Sequence, residues 1–92
     1  MPGKTTSNFW YVYILRSQKD GLHYVGFTSD LKIRMQEHQA GKVTSTAYRR
    51  PLVLEYYEAC LNEGDARARE KYLKSTPGRR FLAQRLKRHR RP

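Results

Sequence analysis

Two stretches rich in aromatic and β-branched residues near the start of the chain predict a β-hairpin. They run from Phe9 to Leu15 and from Leu22 to Phe27, and a segment of turn composition, Ser17 to Gly21, lies between them. Odd and even positions of the first stretch are both apolar or aromatic. This pattern indicates a central strand that is covered on both sides.

The length of the hairpin loop decides whether Tyr13 and Tyr24 share a face of the sheet. With a loop at Asp20-Gly21, or with a longer loop from Ser17 to Asp20, the numbers of facing residues add up to an odd value. Tyr13 and Tyr24 then project from the same face. A three-residue loop would place them on opposite faces.

A helix is predicted from about Asp30 to Ala40. Its apolar positions are Leu31 and Met35, and Arg34 and His38 fall on the same stripe at helical spacing. A solvated helix would carry its arginine and histidine on the far side. We therefore expect a guanidinium and an imidazole to face the sheet.

A third strand is predicted at Leu52 to Cys60, and a second helix follows from Asn62 to about Ser75. The inward stripe of that helix contains Ala66, Glu70 and Leu73. A carboxylate between two packing residues is costly unless a cation or a metal ion meets it. Glu70 is therefore a candidate for such a partner.

A third helix is expected after Thr76, as the N-cap, and Pro77, at the first helical position. It carries the apolar residues Phe81, Leu82 and Leu86. The basic run from Lys87 to Pro92 is expected to fray. The chain thus divides into a flexible N-terminus at residues 1–8, one domain at residues 9–86 and a basic tail at residues 87–92.

Charge indicates a polyanionic partner. The chain of 92 residues is long enough for one modest core, and its 19 Lys and Arg against 8 Asp and Glu give a formal net charge of +11. We expect phosphate contacts from Lys42, Arg49, Arg50, Lys74, Arg79, Arg80, Arg85, Lys87 and Arg88. Charge alone does not distinguish DNA from RNA, and a basic tail can also serve only solubility.

The remaining features of the sequence bear on location and mobility. Cys60 is the single cysteine, which excludes an intramolecular disulfide and fits a reducing cytosol. The N-terminus lacks an apolar signal region, so we expect a cytoplasmic protein. The stretch from Gly41 to Arg50 has the composition of a mobile loop that would border a substrate groove.

Taken together, these residues resemble the GIY-YIG nuclease superfamily, and specifically its small stand-alone bacterial members. The resemblance extends from Phe9 to about Leu86. Its two signatures stand here as Tyr11-Val12-Tyr13 and Tyr24-Val25-Gly26, and its helical arginine, histidine and glutamate match Arg34, His38 and Glu70.

The resemblance implies an α/β (α+β) fold, with a three-stranded antiparallel sheet flanked by about three helices. It also implies an endonuclease that hydrolyses phosphodiester bonds with one divalent ion, Mg²⁺ or Mn²⁺, held by Glu70. DNA is the expected substrate, with structure-dependent or weakly sequence-selective cleavage in repair or processing. Tyr13 would be the general base, and Tyr24 would orient the nucleophilic water or the phosphate.

A tyrosine base needs help, because a phenol with a pKa of about 10 is protonated at neutral pH. Bringing that pKa to about 7 requires roughly 4 kcal/mol of differential stabilisation. Arg34 would favour the phenolate, and His38 would accept the phenolic proton. Arg34 is equally suited to clamp a phosphate oxygen, and the sequence leaves both roles open.

One departure from the family pattern supports an alternative function. Many superfamily nucleases carry an asparagine downstream of the glutamate, where this chain has Leu82-Ala83-Gln84-Arg85. Glu70 also has an ordinary alternative role, which is to pair with Lys74 or Arg67 on its own helix. The alternative is a noncatalytic nucleic-acid-binding module, for DNA or RNA, on the same fold.

Overall fold

The computed structural model describes residues 8–91 and contains three strands and five helices. The predicted flexible segment before residue 8, and Pro92, lie outside the described residues. In chain order the elements are β1 (Trp10–Ser17), β2 (His23–Thr28), α1 (Leu31–Gln39), α2 (Thr44–Ala47), β3 (Leu52–Cys60), α3 (Glu63–Lys74), α4 (Thr76–Arg85) and α5 (Lys87–Arg90). The predicted α+β class is confirmed.

Strand β1 is the centre of an antiparallel sheet with the order β2-β1-β3. The hairpin closes where the Ser17 amide donates to the Leu22 carbonyl at 2.9 Å, so the loop is Gln18 to Gly21. Neither predicted loop position is correct, but the loop has an even number of residues. Tyr13 therefore faces Gly26, and Tyr24 lies beside Leu15 on the same sheet face as Tyr13.

The two sheet faces carry separate hydrophobic cores. On the first face, helix α1 covers a cluster made of Tyr13, Leu15, Leu52, Tyr24, Leu31 and Met35. On the second face, helices α3 and α4 cover a larger cluster built on Val12, Ile14, Ala66, Leu73, Leu82 and Leu86. Each fully buried aliphatic side chain contributes about 1.5–3 kcal/mol. The expectation that β1 is covered on both sides is confirmed.

Helices α3 and α4 meet at a tight junction on the second face. Ser75, not Thr76, caps α4: its hydroxyl accepts from the Gly78 amide at 3.3 Å. Thr76 is the first helical residue, and Pro77 lies in the first turn, where its missing amide hydrogen costs nothing. Gly78 is required by close approach, because a Cβ there would collide with the backbone of Tyr72.

The stretch from Gly41 to Arg50 differs from the predicted mobile loop. It contains the one-turn helix α2, whose Thr46 is fully buried. Gly41 adopts a φ of +78°, and the Arg50 guanidinium lies where a Cβ on this glycine would be. Arg49 forms an ion pair with Asp20 at 3.4 Å. These contacts fix the segment against α1 and the hairpin loop.

The C-terminal run also differs from the expectation of a frayed end. Residues Lys87 to Arg90 form helix α5, and Arg90 donates to the Glu55 carboxylate at 2.9 Å. Glu55 lies where the pairing of β3 with β1 shifts register, between the partners of Ile14 and Leu15. This irregularity turns its carboxylate into the protein, where it binds the tail.

Candidate active site

The site is centred on a buried pair on the first sheet face, formed by Tyr13 and His38. Their relative exposures are 0% and 1%, and the Tyr13 Oη lies 2.7 Å from His38 Nε2. His38 Nδ1 lies 2.8 Å from Thr46 Oγ1. The hydroxyl of Thr46 also has the Val43 carbonyl within reach, at 3.5 Å.

One tautomer of His38 satisfies every donor in this network. If the Thr46 hydroxyl donates to the Val43 carbonyl, its oxygen is free to accept from the Nδ1–H of His38. A neutral imidazole then has its lone pair at Nε2, and the Tyr13 phenol donates to it. The Tyr13 proton is thus already directed at a group that can receive it.

Burial shifts the two pKa values in opposite directions. It lowers the pKa of His38 to about 4, and the positive charge of Arg34 acts in the same direction. It raises the pKa of Tyr13 to about 12, although the hydrogen bond from Arg34 works against this. The expected shift of the Tyr13 pKa toward neutrality is therefore wrong for this arrangement: desolvation outweighs the nearby cation.

Arg34 divides its interactions between the phenol and its own helix. Its Nη1 donates to the Glu37 carboxylate at 3.0 Å, and its hydrogen bond and charge also act on Tyr13. The Glu37 bond in turn raises the pKa of the guanidinium. The predicted orientation of Arg34 toward the sheet is confirmed, and the residue stays charged beside the phenol.

The second signature supplies an aromatic neighbour and a gap for the phenol. The Tyr24 ring lies with its centroid 6.3 Å from that of Tyr13 and 5.3 Å from that of His38. Gly26 lies directly beneath the phenol: a Cβ there would be 2.5 Å from Tyr13 Oη and 2.6 Å from Cζ. Only glycine leaves room for the tyrosine in this position.

Glu70 on α3 lies within electrostatic reach of the same phenol. Its negative charge helps to raise the pKa of Tyr13, its side chain is 21% exposed, and its Oε2 lies 3.1 Å from Lys74 Nζ. Pairing on the same helix, the ordinary alternative, is thus present. Within residues 8–91, no group of three or more His, Cys, Asp or Glu is placed to hold a metal ion.

The residues at Glu70 fit a magnesium ion with a mostly aqueous shell. Mg²⁺ commonly takes one or two protein carboxylates, several waters and the phosphate oxygens of the substrate. A partly buried carboxylate that is neutralised only by the flexible Lys74 can supply one such ligand. The same residues do not fit a closed site built from protein ligands alone.

The basic residues expected to contact phosphates fall into two groups. Exposed side chains without an acidic partner among the described residues are Lys42, Arg79, Arg80, Lys87 and Arg88. The others are engaged within the protein: Arg49 with Asp20, Arg50 with backbone carbonyls, Lys74 with Glu70, and Arg85 over the Tyr56 ring. Helix α4, which bears Arg79 and Arg80, packs on the sheet face opposite α1.

Sequence reasoning missed Thr46 and the role of Gly26. Nothing in the sequence marks Thr46, because it lies in a stretch of loop composition and makes its contact only once α2 has formed. Gly26 was visible as part of a signature, but its steric reason was not. A glycine inside a strand is in general a sign of close approach.

The sequence profile of the GIY-YIG catalytic domain matches residues 9–81. The chain is 39% identical over 66 residues to a UPF0213 protein of Staphylococcus haemolyticus, an alignment covering 71% of this chain and 79% of the relative. It is 41% identical over 66 residues to a UPF0213 protein of Lacticaseibacillus paracasei, covering 71% and 73%. The solution NMR structure of a UPF0213 protein from Bacillus halodurans matches with a TM-score of 0.52 and 32% identity, covering 83% of each chain.

Fold, site and similarity agree on the class of protein. An antiparallel sheet carries both tyrosine signatures, α1 brings Arg34 and His38 to the Tyr13 phenol, and the charge of Glu70 on α3 acts on that phenol. This chain belongs to the GIY-YIG family, which is a nuclease family. Within it, the relatives just described are small bacterial UPF0213 proteins. Within residues 8–91, no helix combines the length and apolar character that a membrane span requires.

Proposed function

We propose that this protein is a divalent-metal-dependent endonuclease that hydrolyses phosphodiester bonds in DNA. The observation that carries the proposal is the Tyr13–His38 pair, in which a buried phenol lies 2.7 Å from the acceptor nitrogen of a neutral imidazole. Any buried tyrosine needs a hydrogen-bond partner, and here that partner is a titratable base, with the Arg34 charge acting on the same phenol. The proposal extends to structure-dependent or weakly selective cleavage in DNA repair or processing, in the cytoplasm.

Tyr13 activates water as one half of a proton relay. It takes a proton from the attacking water while its own proton moves to His38 Nε2, so the phenol need not ionise beforehand. The low pKa of His38 keeps the imidazole neutral with its lone pair free, but it also opposes the imidazolium that the transfer forms. A phosphodiester anion bound beside it favours the imidazolium that forms.

Arg34 controls access to the phenol. In the resting arrangement Arg34 hydrogen-bonds to Tyr13, and the phenol is fully buried. Turning the guanidinium onto a phosphate oxygen would uncover the phenol and neutralise charge on the phosphoryl group in one movement. Tyr24, beside both rings, is placed to orient the water or the phosphate.

Glu70 is the proposed ligand for Mg²⁺ or Mn²⁺. When bound, such an ion neutralises phosphoryl oxygens and stabilises the leaving oxygen. Lys74 would release the carboxylate as the ion enters, because both compete for the same oxygen. The partial burial of Glu70 and the effect of its charge on Tyr13 support this role over simple helix pairing.

The test is cleavage of a labelled panel of linear, branched and single-stranded DNA and RNA with Mg²⁺ or Mn²⁺. Cleavage should be lost in Tyr13→Phe and in Glu70→Ala, while binding is retained. Glu63→Ala is the matched control, because Glu63 forms the same kind of pair on the same helix, with Arg67 at 2.8 Å. Equal cleavage by all variants would contradict the proposed site.

A noncatalytic nucleic-acid-binding module is the second candidate. It is favoured by the raised pKa of Tyr13, by the pairing of Glu70 with Lys74 and by the missing asparagine. It predicts salt-sensitive binding without cleavage under any metal condition. It also predicts that Glu70→Ala binds nucleic acid as the wild type does, and that metal titration detects no specific site.

A further inference from the structure

The sheet face that holds Tyr13 continues into an aromatic surface. Tyr57 on β3 is the cross-strand neighbour of Tyr13, and Tyr11 lies two residues before Tyr13, on the same face. The Tyr11 and Tyr57 rings lie with centroids 6.0 Å apart. Tyr57 is 52% exposed. We call these two residues the tyrosine platform.

Helix α1 does not cover the platform. It packs over the other end of this face, where Leu15 and Leu52 are buried with Leu31 and Met35. Toward the platform the face opens, and on the same edge strand Leu54, the partner of Leu15, is exposed as well. Neither platform tyrosine belongs to either hydrophobic core. Two neighbouring aromatic rings outside the core, beside a candidate site, are typical of a binding surface.

We propose that the tyrosine platform stacks unpaired bases of single-stranded DNA, next to the phosphate that is presented to Tyr13. The inference rests on the proposed nuclease function and names its substrate. Bases in a duplex stack on one another and hide their faces, whereas unpaired bases expose them to aromatic side chains. The net charge of +11 attracts the strand, and the rings then hold its bases.

The position of the platform matches a strand that crosses the sheet. The phenol of Tyr13 lies over Gly26 on β2, and Tyr57 is on β3 at the opposite edge. These edges are two strand spacings apart, or about 10 Å. A flexible single strand with its phosphate at the phenol therefore reaches the platform within a few nucleotides. A rigid duplex would offer the platform only its backbone.

The experiment separates base stacking from charge. Binding of a short labelled oligothymidylate, and of an abasic strand of equal length, is measured by fluorescence anisotropy without metal. In the wild type, the abasic strand should bind more weakly. Tyr57→Leu and Tyr11→Leu should each weaken oligothymidylate binding by about tenfold, since stacking contributes roughly 1–3 kcal/mol per base, and should leave abasic binding unchanged.

Two further variants keep the test specific. Tyr48→Leu is the matched control, because this tyrosine is exposed at the end of α2, off the sheet, and its loss should change neither affinity. Tyr57→Phe keeps the ring and should bind as the wild type does. Circular dichroism of Tyr57→Leu checks the fold.

Three results would overturn the platform. They are unchanged oligothymidylate binding in Tyr57→Leu, an equal loss for the abasic strand, and a change in self-association detected by sedimentation instead of a change in DNA binding. Failure of the nuclease proposal looks different: the stacking preference would persist in a protein that never cleaves. Conversely, cleavage that is lost in Tyr13→Phe but indifferent to Tyr57→Leu would leave the nuclease intact and remove the platform.

Discussion

The two faces of the sheet bury polar groups in opposite ways. On the first face, Tyr13, His38 and Thr46 are buried as neutral groups, each satisfied by the next. On the second face, Glu55 is buried as an anion with a side-chain exposure of 1%. The first arrangement avoids the cost of desolvating a charge, and the second offsets that cost with cations.

The anionic cluster is built around the two oxygens of Glu55. Oε1 lies 2.9 Å from Arg90 Nη2 and 3.2 Å from His23 Nε2. Oε2 lies 3.4 Å from His89 Nε2 and 3.8 Å from Arg16 Nε, and it has no hydrogen-bond partner among residues 8–91. Burial raises the pKa of the Glu55 carboxyl, but the Arg90 hydrogen bond and the neighbouring charges together lower that pKa by more. The carboxyl therefore remains ionised.

The difference teaches which cluster can do chemistry. A proton moved from Tyr13 to His38 changes the charges of two groups that began neutral and lie beside Arg34, the residue proposed to bind the phosphate. A proton added to Glu55 would only release its cations. We infer that the neutral cluster, Tyr13 with His38 and Thr46, serves function. The charged cluster, Glu55 with its cations, holds α5 against the sheet.

Replacing Tyr13 by Phe should have the largest effect. It removes the base and leaves His38 Nε2 without its donor, so we expect cleavage to fall by roughly 10²–10⁴-fold, the usual contribution of general-base catalysis. Single-turnover cleavage measures the loss. Tyr48→Phe, at an exposed position, should cleave normally. Comparable cleavage by the two variants would make the neutral cluster structural only.

Replacing Glu55 by Ala should destabilise the protein through the charged cluster on the second sheet face. The substitution removes the buried anion and leaves its partly buried cations without a counter-charge. We therefore expect a loss of about 3–5 kcal/mol in the free energy of unfolding. Chemical denaturation measures this loss, and Glu55→Gln, which keeps the shape, should cost less. Cleavage per folded molecule should persist. A loss of activity without a loss of stability would assign Glu55 to the catalytic site.

Acid should weaken both clusters, for different reasons. The pKa of His38 is about 4 in the folded chain against 6.5 ordinarily, so the unfolded chain takes up this proton first as pH falls. Stability should drop from pH 6.5 downward, by at most about 3 kcal/mol when pH reaches 4. Glu55, whose pKa is lowered, also loses its contribution in acid.

Unfolding of Glu55→Gln at several pH values removes the Glu55 share, and what remains combines His38 with the other groups whose pKa is lowered, which are His23, Asp20 and Glu58. NMR gives a second measure: the His38 ring should not titrate near its ordinary pKa. A ring that titrates near 6.5 would show that His38 is not held neutral by burial.

The sequence predicted the parts of the fold that depend on local pattern. The bounds of β3, Leu52 to Cys60, agree with its observed range. The stripe that turns Arg34 and His38 toward the sheet is also as expected, because helical spacing alone sets it. The prediction that Tyr13 and Tyr24 share a sheet face was also correct, because it required only that the hairpin loop have an even number of residues.

The rest depended on tertiary contacts that no local pattern reports. Helix α2 is a single turn, too short to be stable by itself, so its existence follows from the contact between Thr46 and His38. Glu55 turns inward because of a register shift that is defined only when β1 and β3 pair. The direction of the Tyr13 pKa shift required a comparison of burial with one nearby cation, and both quantities come from the folded structure.

Replacing Gly26 by Ala should disturb the neutral cluster, because the new methyl group would collide with the Tyr13 ring. The added methyl would lie 2.5 Å from Tyr13 Oη, and neither the ring nor the central strand can yield easily. We expect a loss of about 1–3 kcal/mol in stability, typical of overpacking, together with slower cleavage. Gly64→Ala in the first turn of α3 meets only the end of the Asn62 side chain and should be near neutral. Equal effects at both glycines would refute the steric reason.

Replacing Thr46 by Val is the mildest change and tests the tautomer. Valine keeps the shape but cannot accept from His38 Nδ1, which is left unsatisfied at a cost of about 1–3 kcal/mol unless the ring proton moves to Nε2. If it moves, the Tyr13 phenol loses its acceptor, so cleavage should fall although no group that touches substrate has changed. Thr46→Ser restores the hydroxyl and should recover both the Nδ1–H tautomer, read from the ¹⁵N shifts of His38, and cleavage. A Val variant with full activity and an unchanged tautomer would mean that the protein fixes His38 without Thr46.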